Sequence, residues 1–226
     1  MSMLSDFISL IYPQNCSGCD ALLVQSEKGI CSSCLIELEK ISIQNPVTSF
    51  HFGRKEIDEF ISGFHLVKGG VLLNIIHNIK YNNNKVSANI LGIELGKKLK
   101  QLRVMDEIEC IVPVPISLKK QRLRKFNQSE EIAKGIKKVI DIPIETNWLL
   151  RKNSLKSQTF SNRFERSQNV KEEYYLNKKK TPSFKRLLIL DDVVTTGSTI
   201  VSCLEAINNK DKLSVCVASV ALTKKD

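Results

Sequence analysis

Two patterns of apolar residues alternate along this chain. Short unbroken runs, Leu187-Leu188-Ile189-Leu190 and Val215-Cys216-Val217-Ala218 among them, are bounded by polar or charged positions. Runs of this length suit strands buried on both faces of a parallel sheet. CIVPVP (110–115) predicts another strand, FISGFHLV (60–67) a strand or hairpin, and WLLRK (148–152) a further strand. Between them the period changes to that of a helix. Val71, Leu72, Ile75, Ile76 and Ile79 predict a helix from about 70 to 80. SANILGIELGKKLKQL, NQSEEIAKGIKKVI and the segment from about 198 to 207 predict three more. Alternating strands and helices predict an α/β fold, a parallel sheet with helices on both faces. At the N-terminal end, Leu4, Phe7, Ile8 and Ile11 mark one face of a short docking helix. The polar, Pro-containing stretch ISIQNPVTSF suggests a boundary, with a small module over 1–50 and the main domain over 51–226.

Charge narrows the partners. The 226-residue chain carries a net charge of +10, and the segments 97–138 and 151–186 together hold +15, leaving −5 for the rest. Two like-signed segments predict an electropositive face, for which phosphates are the commonest target. No aromatic interleaving of the base-stacking kind accompanies them. No apolar run approaches the roughly 18 residues of a membrane span. The opening MSMLSDFISLIYP contains Asp6 and lacks the basic start of a secretory signal. The expected location is therefore cytoplasmic, with no membrane insertion. In a reducing compartment the seven cysteines are poor disulfide candidates.

Four of those cysteines are spaced for a metal. Cys16-Ser-Gly-Cys19 and Cys31-Ser-Ser-Cys34 form C-x2-C-x11-C-x2-C, and four thiolates complete a closed tetrahedral Zn²⁺ site. Such a site is structural, because it leaves no open position for chemistry. Metal binding substitutes for the core that so short a segment cannot build. Cys110, Cys203 and Cys216 fall in apolar patterns and read as core thiols.

The segment LLILDDVVTTGSTI (187–200) carries the most chemistry. A buried strand ends in two adjacent carboxylates, Asp191 and Asp192, and Thr195-Thr196-Gly197-Ser198-Thr199 then leads into a helix. Ligands of open α/β sheets bind off the carboxyl ends of strands. A hydroxyl-rich turn at a helix start offers N–H groups, hydroxyls and the positive end of the helix dipole to one phosphate. No lysine lies in the loop, which excludes a Walker-type triphosphate site. Two carboxylates beside a bare phosphate make sense if the ligand also carries vicinal hydroxyls or Mg²⁺. A phosphorylated sugar fits.

The run ILDDVVTTGST resembles the fingerprint by which type I phosphoribosyltransferases bind 5-phosphoribosyl-1-pyrophosphate (PRPP) with Mg²⁺. That resemblance implies their parallel-sheet fold, Asp191 and Asp192 as the catalytic pair on the ribose hydroxyls, and Val193, Val194 and Thr195 through Thr199 as the PRPP loop, with Thr195–Thr199 cradling the 5′-phosphate. Other segments narrow the likeness. IHNIKYNNNK (76–85), VPVPISLKKQRLRKFNQSEEIA (112–133) and SQTFSNRFERSQNV (157–170), with the cysteine knuckle before them, resemble the ComF family of competence-associated proteins, in order and over essentially the whole chain. The family implies pyrophosphate or hood contacts from Lys80, Arg122, Arg124, Lys125, Asn127, Gln128, Gln158, Arg163, Arg166 and Asn169. It also implies a cytosolic role in natural transformation, on incoming single-stranded DNA with a helicase partner.

These segments also read directly. Pro115 prevents the strand from continuing in a central ladder. Lys119, Lys120, Arg122, Arg124 and Lys125 then crowd a loop at the strand's carboxyl end. Asn127 suits a helix N-cap, with Glu130 in capping-box register. Lys125 stands where the family's Arg-Gly-Phe-Asn-Gln has glycine, and Asn82–Asn84 replace a glycine expected after Tyr81. The stretch 151–170, rich in Ser, Gln, Asn and Arg, has the composition of a loop that orders over a ligand. Three functions remain open: a phosphoribosyltransferase with unidentified acceptor, a binding module coupling PRPP to DNA handling, and a non-enzymatic zinc adaptor.

Overall fold

A computed structural model describes residues 14–42, 57–152, 173–179, 184–207 and 213–223. The docking helix expected over Leu4–Ile11 lies outside them, as do Gln158, Arg163, Arg166 and Asn169. Four strands form the main sheet: β1 (Glu59–Leu66), β2 (Cys110–Pro113), β5 (Arg186–Val194) and β6 (Ser214–Thr223). Their order is β1-β6-β5-β2, and every pairing is parallel. Beyond β2 the sheet ends in one parallel bridge, Ile111 to Ile144.

Side chains on the central strands alternate between two buried layers. Leu188, Leu190, Cys216, Ala218 and Val220 face one layer with helices α2 (Val71–Tyr81), α3 (Lys85–Leu99) and α5 (Gln128–Lys137). Leu187, Ile189, Val215 and Val217 face the other, covered by helix α6 (Ser198–Ile207) and a hairpin. That hairpin, β3 (Leu149–Arg151) with β4 (Tyr174–Leu176), is antiparallel and forms its own two-stranded sheet. WLLRK is thus a strand, but it packs on the sheet instead of extending it: Trp148 and Leu149 are buried in the second layer.

The first layer owes its tightness to two glycines, Gly92 and Gly135. A Cβ on Gly135 would stand 2.1 Å from the Asn89 carbonyl oxygen, and one on Gly92 would stand 2.1 Å from that of Ile132. Helices α3 and α5 therefore touch backbone to backbone, which seals Leu91, Leu95 and Leu99 at 0% exposure. Burying each of these side chains contributes about 1.5–3 kcal/mol. The cysteine segment joins the same layer through Cys16, Ile30, Cys31, Cys34 and Leu38. It includes the short helix α1 (Ser32–Glu37), and residue Lys40 bridges to Phe64 on edge strand β1.

The basic segment after Pro115 differs from the expected loop. Leu118–Arg124 is a helix, α4, capped by Ser117, whose side chain accepts from the Lys120 N–H. None of its residues is buried, so no apolar stripe betrays it in the sequence. It ends at Lys125, which adopts the left-handed conformation with φ +59°. Lys125 thus holds a left-handed turn at the steric cost of its Cβ. Asn83 likewise takes φ +55° after α2, in the role read for the asparagine run.

Candidate functional site

The carboxyl ends of β2 and β5 lie side by side, yet the helices that follow them diverge. The chain leaving β2 enters α4 and α5, the latter buried in the first layer through Ile132, Ala133 and Ile136. The chain leaving β5 enters α6, buried in the opposite layer through Ile200, Cys203, Leu204 and Ile207. A crevice must open where neighbouring strands send their helices to opposite faces. Asp191 and Asp192 lie on β5 at this point, inside the strand and not beyond its end, since pairing with β6 continues to Val194.

The two carboxylates have different surroundings. Asp191 is buried at 9% exposure, with Oδ1 accepting from the Asp192 N–H at 2.8 Å and from Ser129 Oγ at 3.5 Å. Burial, reinforced by the Asp192 charge, pushes its carboxyl up to about 7. Asp192 is half-buried. Its Oδ1 accepts from the Val193 N–H at 2.9 Å, and its Oδ2 is ion-paired with Lys80 Nζ at 2.8 Å. Lys80 comes from the last turn of α2, so the crevice is closed from the first layer.

The turn after β5 is built around one left-handed glycine and exposed hydroxyls. Gly197 is buried with φ +78°, a conformation that only glycine takes without strain. Thr195, Thr196 and Ser198 are exposed and Thr199 partly so. Thr196 Oγ1 donates to Ser198 Oγ at 3.2 Å and accepts from the Ser198 N–H at 3.4 Å. Val193 packs against the first layer and Val194 is buried in the second. Only their backbones are therefore placed to serve the loop.

Cations gather on the other side of Asp192. Lys120 and Arg124, four residues apart on α4, share a helix face. Burial and the charges of Arg151, Arg124 and Lys80 hold the Lys120 ammonium below its usual range, while Asp192 opposes the shift. Arg124 donates to Gln128 Oε1 at 3.0 Å and lies 5.9 Å from the Tyr81 ring centre, and its buried Nε has no hydrogen-bond partner among the described residues. A buried guanidinium N–H left unpaired is costly and suits an incoming acceptor. Arg122, two positions away on the helix, and Lys125 are exposed and stand apart from this face. Asn127 caps α5 by accepting from the Ser129 N–H at 3.1 Å, and its Nδ2 donates to Val114 O at 3.0 Å and Glu130 Oε1 at 3.2 Å. The capping box therefore closes through the side-chain amide instead of the N-cap backbone. Gln128, 1% exposed, acts as the anchor of Arg124. Nothing local in the sequence relates Ser129 or Arg151 to this site, whereas Lys120 belongs to the basic run read at the carboxyl end of β2.

The cysteine cluster fits a tetrahedral ion. All four sulfurs lie within 4.8 Å of one another, and Cys19 Sγ to Cys31 Sγ is 3.8 Å. A Zn–S bond of about 2.3 Å implies a tetrahedral edge of about 3.8 Å. Cys16 Sγ accepts from the N–H groups of Gly18 at 3.3 Å and Cys31 at 3.2 Å, and Cys31 Sγ from that of Cys34 at 3.4 Å. Burial raises the Cys16 thiol, but these donors prevail and bring it down to about 7, whereas burial and the neighbouring cysteines push the Cys34 thiol up and leave that of Cys31 raised despite the Cys34 N–H.

The fold is an α/β parallel sheet, covered on both faces, with a four-cysteine cluster packed against it. No protein-family model matches the chain. It is similar to Competence protein F of Haemophilus influenzae, at 31% identity over 112 residues, which are 49% of this chain and 47% of the relative. The chain thus spans about half the length of the curated relative it matches, and this similarity bears out the ComF resemblance of its motifs. Among solved structures it is similar to a glutamine PRPP amidotransferase from B. subtilis complexed with ADP and GMP (19% identity, TM-score 0.40, 58% of this chain and 26% of that one). It is also similar to a hypothetical protein from Neisseria gonorrhoeae with bound ppGpp (14% identity, TM-score 0.38, 62% and 69%). No helix among the described residues is long and apolar enough to cross a membrane.

Proposed function

We propose that this chain binds PRPP, with Mg²⁺, in the crevice between β2 and β5, and that it acts in natural competence on incoming single-stranded DNA in the cytoplasm. The observation that carries the ligand reading is the meeting of three chemistries in one crevice. The Thr195–Thr199 turn offers donors for a 5′-phosphate, Asp191 and Asp192 offer acceptors for ribose hydroxyls, and Lys80, Lys120, Arg124 and Arg151 supply positive charge for a pyrophosphate. Asp192 would hold Mg²⁺ directly or through the hydroxyls; its Oδ2 already meets a cation, the Lys80 ammonium, at 2.8 Å. Zn²⁺ would be held by Cys16, Cys19, Cys31 and Cys34 and supply structure, not catalysis.

The competence role rests on the similarity to Competence protein F and on the two basic segments, of which α4 supplies part of the crevice's positive edge. Single-stranded DNA and a competence helicase are the partners this reading implies. A phosphate-driven DNA contact weakens as salt rises. The test is a melting-temperature series with PRPP and Mg²⁺, beside single-stranded DNA binding followed from low to moderate salt. A rise in melting temperature with PRPP, and DNA affinity falling with salt, are expected. No shift at millimolar PRPP would refute the ligand reading, and salt-independent DNA binding the electrostatic one.

The cation cluster favours a second reading of the same site, a Mg²⁺-dependent phosphoribosyltransferase. An acceptor would displace pyrophosphate from the anomeric carbon, and the cations would stabilise the departing charge. Pyrophosphate release screened across nucleobases and amines tests it, and inertness of all of them at high protein concentration would leave a binding module. A chain that binds no PRPP would be the zinc adaptor.

A further inference from the structure

The first knuckle lies along helix α2, from Val71 to the turn after Tyr81, on a row of asparagines, and Lys80 stands in the last turn of the same helix. Asn74 Nδ2 donates to Gly18 O at 2.9 Å, and Asn78 Nδ2 donates to Ser17 O at 2.9 Å and to Asn74 O at 3.2 Å. Asn82 Nδ2 continues the row by donating to Asn78 Oδ1 at 2.7 Å. Beyond the helix, Asn84 Nδ2 donates to Ser17 Oγ at 2.8 Å, and Ser17 Oγ shares a 2.8 Å hydrogen bond with Ser87 Oγ at the start of α3. The knuckle residues Ser17 and Gly18 thus receive the side chains of three asparagines drawn from α2 and the turn that follows it.

The contact is close as well as polar. A Cβ on Gly18 would stand 2.7 Å from Val71 Cγ1 and 2.9 Å from Cys34 Sγ, so the first knuckle is pressed between α2 and a metal-ligating sulfur. Lys80 lies two residues after Asn78, and its ammonium is the group on Asp192. The apolar face of α2, with Leu72, Ile75, Ile76 and Ile79 buried, fixes the helix against the sheet. Ile79 carries that face into the last turn, and what it leaves to other contacts is the Asn82–Asn84 reversal, where Asn83 takes a left-handed conformation. Ser17 and Gly18 lie between two of the cysteines, so gathering the four sulfurs adds to the backbone bonds, such as Ser17 N–H to Gly29 O at 2.8 Å, that hold their carbonyls in place.

We propose that Asn74, Asn78 and Asn84 are positioning residues through which the metal-held knuckle sets where Lys80 stands over Asp192, making metal occupancy and ligand affinity linked properties. The ligand half of this statement rests on the PRPP reading above; the structural half does not. By reciprocity, a ligand that recruits Lys80 retains the metal.

The experiment uses the full chain loaded with zinc. Amide hydrogen exchange is followed in the loaded protein, after chelation, and in loaded Asn78→Ala and Asn74→Ala variants, with metal content and urea midpoint confirming that each variant is folded. Chelation is expected to speed exchange over 78–84 as well as over 14–42, and Asn78→Ala to speed exchange over 78–84 with the metal still bound. PRPP is expected to slow chelator-driven zinc release from the wild type but not from Asn78→Ala, and to bind that variant up to about tenfold more weakly. Faster exchange confined to 14–42 on chelation overturns the proposal. If loaded wild type binds no PRPP, the ligand reading fails, and the exchange over 78–84 still decides the linkage between knuckle and helix end.

Discussion

Replacing Asp191 with asparagine should stabilise the protein above neutral pH while removing a group central to the site. Asp191 is buried, and burial together with the neighbouring Asp192 charge pushes its carboxyl up to about 7 from an ordinary 3.8. Below pH 3.8 both folded and unfolded chains hold the proton. Between 3.8 and about 7 the folded chain holds it and the unfolded chain does not, so folding stability falls as pH rises through this window and then levels off. Each pH unit of the gap is worth about 1.4 kcal/mol, which sets a ceiling of about 4 kcal/mol at pH 8. Asparagine keeps an oxygen for the Asp192 N–H and Ser129 Oγ and carries no charge. Asp191→Asn should therefore gain a few kcal/mol at pH 8, about 5–10 °C in melting temperature, and little at pH 4. Urea and thermal unfolding of both proteins from pH 4 to 8 measure this. Equal or lower stability of Asp191→Asn at pH 8, with a wild type showing no decline between pH 4 and 7, would refute the reasoning. A stabilising substitution at an ionised site residue is the signature of a site kept for binding at the expense of stability.

Other expectations follow from the packing and the turns. Gly135→Ala forces a Cβ against the Asn89 carbonyl, 2.1 Å away, and should cost at least about 3 kcal/mol or prevent folding, read as urea midpoint or soluble yield. Lys125→Gly removes a left-handed lysine and should stabilise by about 1 kcal/mol in the same urea assay, since Lys125 is exposed and makes no hydrogen bond or ion pair among the described residues. Purified protein should carry one zinc per chain by elemental analysis, and Cys34→Ser should lose it together with several degrees of melting temperature. A chain with no zinc but unchanged stability would contradict the structural role of the cluster.

What could be read in advance follows from how local each signal is. The buried strands and four helices announce themselves through runs and periods, and α6 begins and ends where the pattern places it. The cysteine spacing and the DD-x-x-TTGST run are contiguous, so their chemistry is legible without a fold. Helix α4 is hidden because its five charged or amide residues outnumber Leu118 and Leu123 and none of it is buried. Strand β3 is legible in WLLRK, but β4 and the antiparallel pairing are hidden, because a three-residue strand carries no period and the pairing spans the segment between 151 and 174. Ser129 and Arg151 join the site only through elements far apart in the chain, Ser129 by its Oγ on Asp191 and Arg151 by its charge on Lys120. The asparagines at 74, 78 and 82 are an exception. Their four-residue spacing marks one polar stripe of α2, a signal that was present and has meaning only once the knuckle is seen to lie against it.

The central claim is a phosphoribosyl site built on Asp191, Asp192 and the Thr195–Thr199 turn. Calorimetric titration of PRPP with Mg²⁺ into the wild type and into an Asp191→Ala/Asp192→Ala double variant tests it most directly. The account predicts saturable binding to the wild type that disappears in the double variant, with both proteins folded by circular dichroism. Absence of binding to the folded wild type, or equal binding to both, would contradict it.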